Sequence, residues 1–205
     1  MEKLVKYFVP EKYTLDLTID KKAKTISGTV IVKGLAKAEN IKFHAVGLSV
    51  DQVTVNGKKA KFEVIDGVLT VFKAPRSDLV VEIGYHGTLN ENMQGAYLST
   101  YEHKGRTEVI VATQFESHYA REAFPCIDEP GAKATFDLKI ITPDTEDTII
   151  SNMPAKTERI VEYESVNPDA DPTKGVSLNT KVKKKIVEFE TTPKMSTYLL
   201  AFCLG

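Results

Sequence analysis

From Tyr13 to Asp20 the chain alternates between apolar and polar residues: Tyr13, Leu15, Leu17 and Ile19 fall on one side, Thr14, Asp16, Thr18 and Asp20 on the other. Successive side chains of a β-strand point to opposite faces, so this pattern specifies a strand with one core face and one wet face. The same theme recurs in short runs at 29–32, 48–55, 62–65, 68–72 and 79–85, and again at 108–112, 134–141, 147–151, 185–190 and 198–203. Asn56-Gly57 and Asp66-Gly67 each lie between two such runs, where a tight hairpin needs positive φ at both central residues. Many short strands with Gly, Asn and Pro turns predict an all-β fold, a sandwich or set of curved antiparallel sheets. Long amphipathic helices are missing from the pattern. Ser117 to Ala123, reading SHYAREA, is the stretch with helical character, with Ser117 positioned to cap a first turn and Pro125 to end it. The segment from Glu164 to Lys184 is rich in Pro, Asp, Asn, Lys and Thr, and is expected to form a long mobile loop or hairpin tip. Its basic end, with Lys181, Lys183, Lys184 and Lys185, reads as a solvated sheet edge.

Composition narrows the functional classes. With 205 residues and 42% hydrophobic content the chain can bury a substantial core, as one large domain or two small ones in close contact. A net charge of −1 removes the driving force that dominates nucleic-acid affinity, so nucleic acid is not an expected partner. No apolar run approaches the roughly 18 to 20 residues of a membrane span, and charges at Glu2, Lys3 and Lys6 interrupt any signal-like core. No membrane partner is expected. The two cysteines, Cys126 and Cys203, are too few for a disulfide scaffold and favour a reducing, cytoplasmic setting. Spacing in sequence leaves a bridge between them formally open.

Local chemistry concentrates in one region. Residues 113–130, TQFESHYAREAFPCIDEP, follow the strand-like run VIVAT and gather Gln114, Glu116, His118, Arg121, Asp128 and Glu129 at the end of a strand. Polar groups there can reach a ligand from a rigid support.

These residues carry a resemblance. TQFE at 113–116, Ala120-Arg121, FPCIDEP at 124–130, KATFDLKI at 133–140, SNMP at 151–154 and TTPKMSTYLLAFCLG at 191–205 are similar to the amino-terminal domain of the aminopeptidase N family of zinc metallopeptidases. VPEKYTLDLTID and GTLNENMQGAYLSTY extend the likeness over essentially the whole chain, with a flavour like tricorn-interacting factor and cytosolic aminopeptidases. The resemblance implies that residues 1–205 form a single saddle-shaped β-sandwich, the amino-terminal domain of an enzyme that releases amino-terminal residues from peptides. It implies a thermolysin-like catalytic domain as partner, absent here and expected to hold the zinc. None of His44, His86, His103 or His118 begins a His-Glu-x-x-His motif, and Gly-x-Met-Glu-Asn is absent. No residue of this chain is therefore expected to bind metal or act catalytically, and no cofactor is expected within it.

Carried over from the family, Glu116 is the substrate-binding residue, and peptides with a free amino terminus are the expected ligands. The chemistry agrees: an exopeptidase must read a free α-ammonium, and a carboxylate gives it a charge-assisted hydrogen bond. Gln114, two residues earlier, is expected to line the same pocket through its amide. The bland alternatives are a surface ion pair between Glu116 and Arg121, and a Gln114 that satisfies nearby backbone groups. Arg121, Asp128 and Glu129 read as structural, with the carboxylates capping backbone N–H groups or binding Arg121, and Cys126 reads as a buried small hydrophobe. His118, and Tyr119 where the family often has Asp, depart from the usual pattern. The competing function is a standalone β-sandwich module that binds peptides or another subunit without catalysis.

Overall fold

The computed structural model describes residues 2–166 and 179–205. The strands are β1 (Phe8–Asp20), β2 (Thr25–Ala36), β3 (Ile41–His44), β4 (Ser49–Val55), β5 (Lys58–Lys59), β6 (Phe62–Ile65), β7 (Val68–Val71) and β8 (Asp78–Thr88), followed by β9 (Gly95–His103), β10 (Arg106–Gln114), β11 (Thr135–Thr142), β12 (Ile149–Ser151), β13 (Ala155–Val166), β14 (Asn179–Phe189) and β15 (Phe202–Leu204). They form an eight-stranded sheet in the order β13-β14-β11-β1-β2-β8-β4-β5, a four-stranded sheet β12-β15-β10-β9 and a three-stranded sheet β3-β7-β6. The fold is all-β, as the alternation predicts, and no sheet closes into a barrel.

The pattern in β1 does what its sequence dictates: Tyr13, Leu15, Leu17 and Ile19 are all fully buried. Register aligns them with apolar residues on neighbouring strands, so that Leu138, Leu15, Val30 and Ile83 form one row across the large sheet. Each such side chain removed from water contributes roughly 1.5 to 3 kcal/mol. One departure from a purely antiparallel scheme is the pairing of β1 with β11, which is parallel and joins residues far apart in the chain. Aromatic rings then tie the sheets together. Phe136 stacks on Tyr13 at 5.0 Å, Tyr13 meets Phe124 edge-on, and Phe124 meets Phe115, which meets Phe202 of the four-stranded sheet. Phe8 against Phe43, at 5.2 Å, fastens the three-stranded sheet. The 115–124 segment is thus a wedge between two sheets, anchored by two phenylalanines.

Both predicted hairpins form, with positive φ at Asn56 (50°) and Gly57 (76°), and at Asp66 (50°) and Gly67 (74°). Four expectations need correction. Ser117 to Ala123 contains only a single 3-10 turn, Ala120–Glu122, and Ser117 does not cap it. Instead Tyr119 N–H donates to the Phe115 carbonyl (2.9 Å) and Arg121 N–H to Asp128 Oδ2 (3.2 Å), so the donors a helix would need capped are already satisfied. The expected loop at Glu164–Lys184 is strand at both ends, because β13 and β14 pair from Ala155 to Val166, and the central part of that expectation lies outside the described residues. The lysines of β14 do not sit at the sheet edge, which belongs to β13. Across the pair, Lys181 meets Glu162 (3.1 Å) and Lys185 meets Glu158 (2.8 Å). The run expected at 198–203 is strand only from Phe202, since Thr197–Leu199 make a 3-10 turn.

Candidate functional site

At the end of β10 the apolar alternation carries one step past the sheet. Gln114 is exposed and pairs with Gly95 of β9, Phe115 is 2% exposed, and Glu116 is exposed again. Phe115 packs between Phe124 and Phe202, at ring distances of 6.0 and 6.2 Å, which pins the backbone on one side of Glu116. The bond from Tyr119 N–H back to the Phe115 carbonyl pins it on the other. Glu116, Ser117 and His118 therefore sit on a short closed loop, and the peptide bond between Glu116 and Ser117 is cis. Among the described residues neither the Gln114 amide nor the Glu116 carboxylate takes part in a hydrogen bond or ion pair. The surface pair of Glu116 with Arg121 does not form, because Arg121 Nε binds Asp128 Oδ2 at 3.0 Å.

The loop is braced by the connection between β8 and β9. Gln94 Nε2 donates to Tyr119 Oη (3.0 Å), and Asn90 Nδ2 donates both to Glu122 Oε2 (2.7 Å) and to the Gln94 carbonyl (2.9 Å). Gly95 is needed here: its φ is +67°, and a Cβ would lie 2.9 Å from Asn90 Nδ2 and 3.3 Å from the Glu122 side chain. His118 stacks on Tyr119 at 4.9 Å and its Nδ1 lies 2.7 Å from Ser117 Oγ, so the two residues that depart from the family's pattern pack on each other. Nothing in the spacing of Asn90, Gln94 and Glu122 singles them out.

Beneath the loop lies a buried polar clamp. Asp128 is 3% and Arg121 8% exposed, and besides the Nε bond Arg121 Nη2 donates to the Asp128 carbonyl at 2.8 Å. Asp128 N–H donates to His44 Nδ1 (3.2 Å), which leaves the imidazole proton on Nε2, while Ile127 N–H donates to Tyr13 Oη (3.0 Å). Burial, with Arg121 as a second cause, lowers the His44 pKa to about 4, so the ring is neutral at pH 7. Burial raises Asp128 and outweighs the Arg121 hydrogen bond; its Oδ1 has no partner among the described residues. Glu129 accepts the Leu4 N–H through Oε1. The structural reading of Arg121, Asp128 and Glu129 is therefore correct, though His44, some eighty residues upstream, is a member that the sequence did not reveal. Cys126 is fully buried, and burial pushes its thiol well up. Both cysteines are free. A cavity of about 270 Å³ opens above the clamp, lined in part by His118, Arg121, Asp128 and Glu129, and neither Gln114 nor Glu116 reaches it.

Gln114 shares a face with a second feature. Across the four-stranded sheet, register places Ile150, Cys203, Ala112 and Tyr97 in one row, and Gln114 lies two residues further along β10 on the same side. Ile150 is 59% exposed. Among the described residues no three His, Cys, Asp or Glu side chains are grouped so as to hold a metal, so the residues present do not fit a zinc site. No described helix is long and apolar enough to cross a membrane.

The described residues form an open assembly of three sheets, with a polar strand end held over a buried clamp. A family model described as the Peptidase M1 N-terminal domain matches residues 9–169, and the chain belongs to that family. It is similar to aminopeptidase N of Lactococcus lactis subsp. lactis (strain IL1403), 39% identical over 208 residues that take in 100% of this chain and 22% of the relative. It is similar also to tricorn protease-interacting factor F2 of Thermoplasma acidophilum, 35% identical over 95% of this chain and 22% of that protein, and to aminopeptidase M1 of Arabidopsis thaliana, 34% identical over 99% and 22%. The chain thus spans about a fifth of the length of these curated relatives.

Proposed function

We propose that residues 1–205 act as the single amino-terminal domain of a cytoplasmic, zinc-dependent aminopeptidase, and that Glu116 receives the α-ammonium of a peptide substrate while Gln114 contacts the substrate's first residue. The observation that carries this reading is the Glu116 carboxylate itself, exposed and without a partner among the described residues, on a loop fixed at both ends by Phe115 and Tyr119. A carboxylate held ready costs little to orient when its cation arrives, and a charge-assisted hydrogen bond of this kind contributes roughly 1.5 to 3 kcal/mol. Fixing the amino terminus sets the distance from that end of the substrate to its first peptide bond, so binding energy becomes orientation. An N-acetylated or internal peptide offers no such cation.

The partner in this reading is the catalytic domain of the same enzyme, which brings the metal, since the described residues of this chain include no group of three His, Cys, Asp or Glu side chains to hold one. The row of exposed Ile150 and half-buried Cys203, Ala112 and Tyr97, on the face that carries Gln114, supports a neighbour there, because apolar surface of that kind is normally covered. The free thiols and the small number of cysteines support a reducing compartment. In the polypeptide that also carries the catalytic domain, Glu116→Ala is expected to lower kcat/KM for aminoacyl anilides about 10- to 150-fold, with zinc content and thermal unfolding unchanged. An unaltered kcat/KM would remove Glu116 from the substrate site.

A further inference from the structure

Where the eight-stranded sheet ends at β5, a groove of about 870 Å³ runs between that edge and the segments flanking the three-stranded sheet, Glu39 and Asn40 before β3 and Phe72, Lys73 and Pro75 after β7, continuous with a smaller hollow that shares Glu39, Lys73 and Pro75. Five cations line the two together: Lys58, Lys59, Lys61, Lys73 and Arg76. Glu39 is the anion among the lining residues, which leaves a local charge of +4 in a chain whose net charge is −1. None of the five cations makes an ion pair or side-chain hydrogen bond among the described residues. Several lysines elsewhere are matched. Lys12 meets Asp137 at 2.6 Å, and Lys185 meets Glu158 at 2.8 Å.

Repelling other strand edges accounts for charge at β5, but it needs no apolar floor. This groove has one, made by the half-buried Val55, Ala60 and Phe72. Its walls are fixed: Ala60 N–H donates to the Val53 carbonyl and Phe72 N–H to the Lys61 carbonyl, both at 3.0 Å. Lys73 is held at φ +57° with its N–H on Asn40 Oδ1, so its position is set by the backbone and not by a flexible turn. Unpaired cations over an apolar strip match a polypeptide in which carboxylates alternate with aliphatic side chains. A nucleic acid or polyphosphate would use the lysines but has nothing aliphatic for the floor, and the groove offers Phe72 alone among aromatic rings for base stacking.

We propose that the groove between β5 and the segment that follows β7 binds an acidic, extended segment of a partner protein, at a surface whose lining includes no residue of the four-stranded sheet. The lysines supply steering and the floor supplies discrimination against simple anions. The test is fluorescence anisotropy on the full chain with a labelled nonapeptide of three Asp-Glu-Leu repeats, beside its Asn-Gln-Leu counterpart and a single-stranded oligonucleotide of equal charge. Saturable, salt-sensitive binding of the acidic peptide is expected, with no binding of the neutral one and weaker binding of the oligonucleotide. Reversing two charges in Lys59→Glu/Lys73→Glu is expected to weaken the acidic peptide by about tenfold or more, while Lys33→Glu, on an exposed lysine of β2 outside the groove, leaves it unchanged. Equal affinity for both peptides, tighter binding of the oligonucleotide, or a double variant that melts normally and binds as before would each overturn the proposal. The comparison of peptides on the unaltered chain stands even if the double variant does not fold.

Discussion

Two neighbouring pieces of one motif have opposite designs. Residues 120–130 are mostly buried and paired internally: Arg121 grips Asp128, His44 accepts the Asp128 N–H, and Tyr13 accepts that of Ile127. Residues 114–118 hold their backbone as firmly but leave Gln114 and Glu116 facing solvent. The lesson is that a dense set of charged residues divides by burial and pairing. Carboxylates that already have donors, such as Asp128 and Glu129, build the platform, while Glu116 has none among the described residues.

The sharpest way to break this division is at the platform. Asp128→Ala leaves Arg121 buried without its carboxylate, and should cost about 3 to 5 kcal/mol of stability, measured by urea denaturation. A cost near zero would mean that the clamp is ornamental. Next in size is a pH effect. His44 has a folded pKa of about 4 against an ordinary value near 6.5, so the folded state binds fewer protons than the unfolded one between those values. Its contribution is present above pH 6.5 and is lost as pH falls towards 4, amounting to about 3 kcal/mol at most. Asp128, raised by burial, works in the opposite sense near the acid end. His44→Asn keeps an acceptor for the Asp128 N–H and titrates nothing, so its urea midpoint should lose that decline between pH 7 and 4.5 while the unaltered chain keeps it. A smaller effect belongs to the brace. Gly95→Ala, forced into positive φ against Asn90 and Glu122, should destabilise by about 1 to 2 kcal/mol. Hydrogen exchange should locate the loosening at residues 89–95 and leave β1 protected.

The strands that read most plainly are those with one wet face. β1, β8 and β11 bury alternate residues cleanly, so period-two patterning finds them. β9 and β13 escape it because they end their sheets and are half-exposed on both sides, as Tyr101 and Ile160 illustrate at 47% and 56%. The turn between β9 and β10 is also hard to read, since Lys104 precedes Gly105 where Asn or Asp is usual, although both adopt positive φ. Which strand pairs with which is a further step: nothing local tells that β1 runs parallel to β11. In the candidate site, Gln114 and Glu116 are proposed from the motif they close, and the structure places both exposed at the end of β10. His44 and Asn90 are not legible in the sequence, because their roles exist only once distant strands meet.

The central claim is that Glu116 reads a free amine, and its most direct test is selectivity. In the complete enzyme, an inhibitor bearing the α-amine and its des-amino analogue should differ in affinity, and Glu116→Gln should shrink that difference about 10- to 150-fold while stability changes by less than about 0.5 kcal/mol. An undiminished preference for the amine in Glu116→Gln would contradict the account.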